Sequence, residues 1–436
     1  MKFKKDQIIS SGGKSYRILE LLGAGGQGEV YLAECDGQRY ALKIYIEYPD
    51  TDFCYNLRKN IDNGSPSSTF IWPKAIIEGD DYFGYLMDLR PRNYVSFVSY
   101  LTGKNKFRNQ STLLRWCIEL CLSFKMLHEK GYSYQDLNDG SFFLDPDTGD
   151  LLICDNDNVT ADKKNLGILG KMRYMAPEIV RGDIDPRTKE RQMPDVHSDR
   201  FSLAVILFMA LCLGNPYEGE RLKEYPIMDE DAEYEMYGAR PIFVYHKTDR
   251  TNRPIRGYHA GVLRRWPLMP IYIKEAFHRT FVDGLSDREN ERTTELEWLK
   301  LLTRYRDELI SCGCGYQYAF GIYERATLES CPLCKAKNQG EYCVLQVGKS
   351  RIALEPGKRF YSNHLDKYSS RYNDEVGSVI QNKSNPAIWG IRIATAGDIL
   401  IKDSNGKEKT IFAGGVIPIV KGLKIKFNEN TIGEIK

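Results

Sequence analysis

The run Gly23-Ala24-Gly25-Gly26-Gln27-Gly28-Glu29-Val30 constrains this chain more than any other segment. It fits G-x-G-x-x-G-x-V in full. Glycines at this spacing let a strand–turn–strand pass close over phosphates, where side chains would collide, and Val30 is placed to cover a base. A dinucleotide-binding turn would need a helix directly after it; here β-type residues follow. Thirteen residues beyond Val30 stands Lys43, closing Ala41-Leu42-Lys43. A lysine on the next strand, pointing back under the turn, can pair with nucleotide phosphates. The surrounding pattern predicts strands at 16–22, 29–35 and 39–46, a helix at 52–61 and a further strand at 82–89.

The rest of the chain reads differently. Leu113, Leu114, Cys117, Ile118, Cys121 and Phe124 recur at helical spacing. They predict an amphipathic helix over 111–130, with Ser111 as N-cap and Gly131 as stop. Residues 201–213 are apolar all round, as in a helix buried within a large domain. The longest apolar run, 203–213, is too short for a membrane span of ~20 residues. Residues 216–270 are charged and Tyr-rich and predict loops and short elements, and 293–309 predicts a closing helix. Beyond residue 342 short β-type runs (391–394, 399–401, 416–420, 423–427) alternate with Gly, Asn and Asp turns.

At 436 residues, with 42% hydrophobic and 28% charged residues, the chain is long enough for two to four folded domains and is not mainly disordered. Lys plus Arg is 61 and Asp plus Glu is 59, a net charge of +2, so no pull toward nucleic acid or membrane is expected. The basic stretch 253–265, interleaved with Tyr258 and followed by Trp266, reads as a solvated face. Met1-Lys-Phe-Lys-Lys-Asp-Gln lacks a following apolar stretch and is not a signal peptide. A cytoplasmic protein is expected.

Further motifs follow the glycine run in order: Tyr134-Gln135-Asp136-Leu137-Asn138-Asp139-Gly140-Ser141-Phe142-Phe143, then Cys154-Asp155-Asn156-Asp157-Asn158, then Gly170 to Ala176-Pro177-Glu178, then Ser198-Asp199 ahead of the apolar helix. Over residues 14–310 this ordered set resembles the protein kinase superfamily. The Asp-Asn-Asp form, with the cysteine cluster described below, is similar to a bacterial eukaryote-like serine/threonine kinase group. The resemblance implies an α+β, two-lobed kinase fold, with an N-lobe at 14–90 and a C-lobe at 91–310, that transfers the γ-phosphoryl group of ATP to a protein Ser or Thr with Mg²⁺ or Mn²⁺.

By position, the resemblance implies that Gly23, Gly25 and Gly28 cover the phosphates and Lys43 holds the α/β-phosphates. Val30, Ala41 and Phe143 would sandwich adenine, Met87 would back its pocket, and Asp88 and Leu89 would supply hinge hydrogen bonds. Asp136 would orient or deprotonate the substrate hydroxyl, and Asp155 would bind the metal. Asp199 would brace the catalytic loop, and Glu178 would pair with Arg292. The chemistry needs these types, since phosphoryl transfer is mostly positioning and charge neutralisation. Members of the bacterial group accompany phosphatase and tellurite-resistance-type gene sets, which implies a phosphatase or signalling partner besides the protein substrate.

Several positions depart from the family. Ser141 stands where a second metal-binding Asn is expected, with Asp139 or Asp157 as helpers. Asn138 replaces the catalytic-loop Lys, while Lys171 restores a cation from another direction. Gln135 replaces the Arg that would pair with an activation-loop phosphate, and Thr160 is the only hydroxyl besides Tyr174 between Asp155 and Glu178. The helix at 52–61 carries no Glu for Lys43; Asn56 sits near the right place and Glu47 is the nearest acid. These departures leave two readings, an active kinase and a nucleotide-binding pseudokinase that works as a scaffold.

Eleven cysteines are present. Cys35, Cys54, Cys117, Cys121, Cys154 and Cys212 read as reduced thiols, and Cys343 follows the cluster. Cys312-Gly-Cys314 and Cys331-Pro-Leu-Cys334 supply four thiolates on two tight turns, matching a closed tetrahedral Zn²⁺ site; disulfides are the alternative. A zinc ribbon is expected at 311–340. The remainder, 341–436, is expected to be a small β-sandwich. It has a faint resemblance to forkhead-associated domains at Val420-Lys-Gly-Leu-Lys-Ile-Lys-Phe and Asn385-Pro-Ala-Ile-Trp-Gly. That family's phosphothreonine-binding residues are out of register, Ser362 and His364 lying too close together. A docking module for an unspecified ligand is implied.

Overall fold

A computed structural model describes residues 2–164, 170–320, 330–337, 342–366, 368–394 and 398–436. Residues 165–169 of the segment before Glu178, and 321–329 and 338–340 of the expected ribbon, lie outside the described residues. Contacts divide the chain into two units: 1–106, 120–261 and 277–295 form the first, and 107–119, 262–276 and 296–436 the second. The fold mixes helix and sheet throughout, an α+β architecture.

The first unit opens with six antiparallel strands: β1 (Ile8–Ser11), β2 (Lys14–Ala24), β3 (Gly28–Cys35), β4 (Gln38–Tyr45), β5 (Ala75–Gly79) and β6 (Tyr82–Met87). They lie in the order β1-β2-β3-β4-β6-β5. Alternation along β4 sends Leu42 and Ile44 to one face, where they pack with Ile18, Tyr31 and Ile77. It sends Ala41, Lys43 and Tyr45 to the other. There Ala41 and Tyr45 pack with Phe83, Tyr85 and helix α1 (Thr51–Asn63) through Phe53 and Leu57. Asp50 caps α1 by accepting from the Phe53 N–H at 2.8 Å, and Gly64, at φ 70°, ends it.

The longer helices follow the apolar periodicity. Gln110–Glu129 is a helix, one residue earlier at each end than expected. Its N-terminus is held by Asn109, whose Oδ1 accepts from the Thr112 N–H at 2.9 Å, so Ser111 is not the cap. Gly131, at φ 77°, follows it. Val196–Cys212 is buried almost throughout and carries a reciprocal capping box between Asp195 and Ser198. The region 216–270 consists of short 3₁₀, α and π turns, as its weak periodicity implies. Its basic residues are not all solvated: Arg253 donates to the carbonyls of Val244 and His246 at 2.9 and 2.7 Å.

Helix Glu295–Asp307, which enters the second unit at Leu296, leads into the hairpin Leu309–Ser311 and Gln317–Ala319. Two antiparallel sheets follow, one of six strands and one of four. Leu345, Ile352, Phe360, Val379, Ile391, Ile417, Ile425 and Ile435, drawn from both sheets, share one buried core. Ser362 and His364 lie in a short helical turn; His364 is buried, with Nε2 3.0 Å from Asp307 Oδ1. Among the described residues no helix is long and apolar enough to cross a membrane.

Candidate functional site

Lys43 reaches the site because β4 alternates. Its Nζ lies 2.7 Å from Asp157 Oδ2 and 3.7 Å from Asp155 Oδ1, with its side chain 6% exposed. It also faces the rings of Tyr45 and Tyr85, at 5.4 and 5.9 Å from their centroids. Burial acts to lower the Lys43 pKa, but the two carboxylates outweigh it and hold the amine protonated. Tyr45 donates its hydroxyl to the same Asp157 oxygen.

Neither sequence candidate for the partner of Lys43 fills that place. Asn56 donates to the Val159 carbonyl at 2.8 Å, and Asn60 joins it there at 2.6 Å. Glu47 is exposed. Asp157, expected to lend charge to metal ions, is instead fully buried against Lys43 and Tyr45.

The catalytic-loop candidate Asp136 is positioned from behind. Asp199, in helix Val196–Cys212, accepts from the backbone N–H groups of Tyr134 and Gln135 at 2.6 and 3.0 Å. His128 Nε2 lies 3.1 Å from Asp199, and its Nδ1 lies 2.9 Å from Glu295. Gln135 takes φ 70°, an uncommon conformation for a non-glycine that turns the chain sharply into Asp136. Burial pushes the Asp136 carboxyl up to about 6, against the opposing pull of the Asn138 amide and Lys171. Lys171 Nζ is 3.4 Å from Asn138 Oδ1, so its cation does approach the loop.

Asp155 follows the strand Leu151–Ile153 and also takes a left-handed conformation, φ 55°. Its side chain is 53% exposed, open to a cation from solvent. Behind it, Asn156 donates to the carbonyls of Ile71 and Ile153 at 2.9 and 3.0 Å and pins the turn. Ser141 Oγ is fully buried and has no hydrogen-bond partner among the described residues. Asp139 begins the short turn that ends at Ser141.

Val30, Ala41 and Met87 come together in one apolar cluster, joined by Leu152 and Cys154, which sequence reasoning missed. Phe143 pairs in register with Leu152, and the Arg90 guanidinium lies 4.5 Å from its ring centroid. Asp88 and Leu89 follow β6 as exposed residues, Asp88 paired with Lys74 at 2.5 Å. Gly23 and Gly25 face open space, since a Cβ on either would meet nothing within 4 Å. Gly28 is required by the sheet itself, because a Cβ there would lie 2.5 Å from the Ile44 carbonyl oxygen. Glu178 and Arg292 form a buried two-point ion pair at 2.8 and 2.7 Å.

A glycine turn, a buried lysine and two aspartates on separate loops are thus gathered in one unit. A family model for the protein kinase domain matches residues 16–256, more than half of the chain. The chain belongs to the protein kinase family. It is similar to protein kinase YegI of Escherichia coli, with 24% identity over 79% of this chain and 52% of that protein. It is also similar to the serine/threonine-protein kinase PrkC of Bacillus subtilis, 25% identical over 47% of this chain and 31% of that protein. Ribosomal protein S6 kinase alpha-6 of Danio rerio is 31% identical over 48% of this chain and 28% of that protein. The chain spans between about a quarter and a half of the length of these curated relatives.

The second unit holds one more candidate centre. Sγ of Cys312 and Cys334 are 3.5 Å apart, and those of Cys314 and Cys331 are 3.8 Å apart. All four sulfurs lie within 4.8 Å of one another. Four sulfurs at ~2.3 Å from a tetrahedral Zn²⁺ sit ~3.8 Å apart, so the spacing fits that ion. It does not fit disulfides, whose sulfurs are ~2.05 Å apart.

Proposed function

We propose that this protein kinase transfers the γ-phosphoryl group of ATP to a Ser or Thr hydroxyl of a protein substrate. The observation that carries the reading is the meeting of Lys43 with Asp155, 3.7 Å apart, in the same unit as the braced Asp136. The family implies Mg²⁺, with Mn²⁺ able to serve in its place. The half-exposed Asp155 carboxylate suits such a hard cation, and open space at Gly23 and Gly25 leaves room for phosphates. A bound Mg²⁺ neutralises charge on the transferring phosphate. Lys43 orients the nucleotide, with Val30, Ala41, Met87 and Phe143 against the base, Asp88 and Leu89 at its edge, and Gly28 shaping the turn. Asp136 orients the acceptor hydroxyl and takes its proton. Ser141 stands as the second candidate on the metal side.

A protein substrate is supported by a cavity of about 540 Å³ that includes Gln135 and Gly170 and is lined by Met172, Met175, Ile179 and Met193. It suits an apolar side chain of a peptide whose hydroxyl lies at Asp136. We assign 14–90 and 91–310 to the two kinase lobes, 311–340 to a zinc ribbon held by Cys312, Cys314, Cys331 and Cys334, and 341–436 to a β-sandwich docking module. The burial of His364 against Asp307 argues against a phosphothreonine site there.

The second reading, a nucleotide-binding scaffold, is favoured by Asn138 in place of a lysine and by the burial of Ser141. Intact-mass analysis after incubation with Mg-ATP and a mixed protein substrate, against Asp136→Asn as control, decides between them. Phosphate incorporation that the substitution abolishes is expected. ATP binding without transfer under any divalent metal would establish the scaffold instead.

A further inference from the structure

Lys43 is too deeply buried to stay charged without a partner, and helix α1 supplies none. Its two acidic residues, Asp52 and Asp62, are exposed, while Asn56 and Asn60 are spent on the Val159 carbonyl. The counter-charge comes from the metal-side turn. Asp157 Oδ2 meets Lys43 at 2.7 Å, and the Asp157 side chain is fully buried. Tyr45, two residues along β4, donates to the same oxygen and fixes the carboxylate. The amine also lies over the Tyr85 ring, 5.9 Å from its centroid.

We propose that Asp157 is the positioning residue for Lys43, with Tyr45 orienting it, and that it does the work a helix carboxylate would otherwise do. The assignment rests on the nucleotide-site reading above. In this arrangement the lysine that meets the phosphates is set by the turn that carries Asp155, two residues away. Helix α1 supplies no charge to it and bears on it only through its amide bonds to Val159 on the same turn. Asp157 is therefore not a metal ligand, although it lies on the metal-side turn, because its exposed neighbour Asp155 faces solvent and Asp157 faces the amine.

A double-mutant cycle on nucleotide affinity tests this, since affinity is readable whether or not the chain catalyses. ATP binding is measured by calorimetry, in Mg²⁺ and in EDTA, for the native chain, Asp157→Asn, Lys43→Met and the double variant. Asp157→Asn is expected to weaken ATP binding about tenfold in the native background, in both buffers. In the Lys43→Met background the same change should leave affinity unchanged or improve it, because only a negative charge near the phosphates is removed. An equal loss in both backgrounds, a loss confined to Mg²⁺, or no loss at all overturns the proposal. If the native chain binds no ATP, the nucleotide-site reading falls, and this assignment with it. Should Asp157→Asn fail to fold by its thermal melt, Tyr45→Phe takes its place. That variant keeps both charges and is expected to weaken binding about threefold, again only when Lys43 is present.

Discussion

Asp136 is the residue whose environment most directly sets the chemistry. Its carboxyl is pushed up to about 6 by burial, and a proton acceptor must be ionised to work. Activity is therefore expected to fall as pH drops through about 6, to roughly a tenth of its plateau one pH unit lower. Lys171 pulls that value down, so Lys171→Ala should move the acid limb of the kcat/KM profile to higher pH; an unmoved limb would show that the cation does not act on Asp136. Gly28→Ala forces a Cβ to within 2.5 Å of the Ile44 carbonyl. A loss of about 1–3 kcal/mol is expected, read by denaturant titration. Lys43, Asp136 and Asp155 were legible because each lies in a short motif with fixed spacing. Tyr45 and Tyr85 were not, and Asp157 was read toward the metal rather than toward Lys43. The Lys43–Asp157 contact joins residues 114 apart, and nothing local to either marks it.

Elements were legible where periodicity was strong. Helices Gln110–Glu129 and Val196–Cys212 and strands β2 to β4 lie close to the predicted ranges. Helix Ile271–Phe281 was not anticipated. The joint between helices was hidden as well. His128 showed no partner in the sequence, yet it ties Asp199 and Glu295 together near the end of helix Gln110–Glu129. Burial alone would lower its pKa, but its hydrogen bonds to the two carboxylates raise it to about 9. A histidine raised in the folded state contributes its full stabilisation below its unfolded value of ~6.5 and loses it as pH climbs through about 9. The native chain should therefore lose roughly 3 kcal/mol between pH 6.5 and 9. His128→Gln should flatten that slope in thermal melts across the range. A variant curve parallel to the native one would remove His128 as its source.

At the scale of the whole molecule, the cysteine cluster was the easiest feature to read, because four thiolates on two tight turns leave little else for them to do. Metal analysis of the purified chain is expected to find about one Zn²⁺, and Cys314→Ser with Cys334→Ser should bring it near zero. Hydrogen exchange should then rise in 309–319 and 330–337, with strands β1 to β6 unchanged. The second unit's two sheets were legible as strands but not as a pairing order, since strand neighbours such as Val344–Val347 and Thr431–Ile435 lie far apart in sequence. In the first unit, α1 is fastened to the Val159 carbonyl by two neutral amides, Asn56 and Asn60, while its ion pair, Arg58 with Glu78 of β5 at 2.7 Å, is exposed to solvent. Counterions screen charges and leave amide–carbonyl bonds nearly untouched. The seating of this helix should therefore depend little on ionic strength: a chain moved from dilute buffer to molar salt keeps it in place on its amides, while the small contribution of the exposed Arg58–Glu78 pair fades.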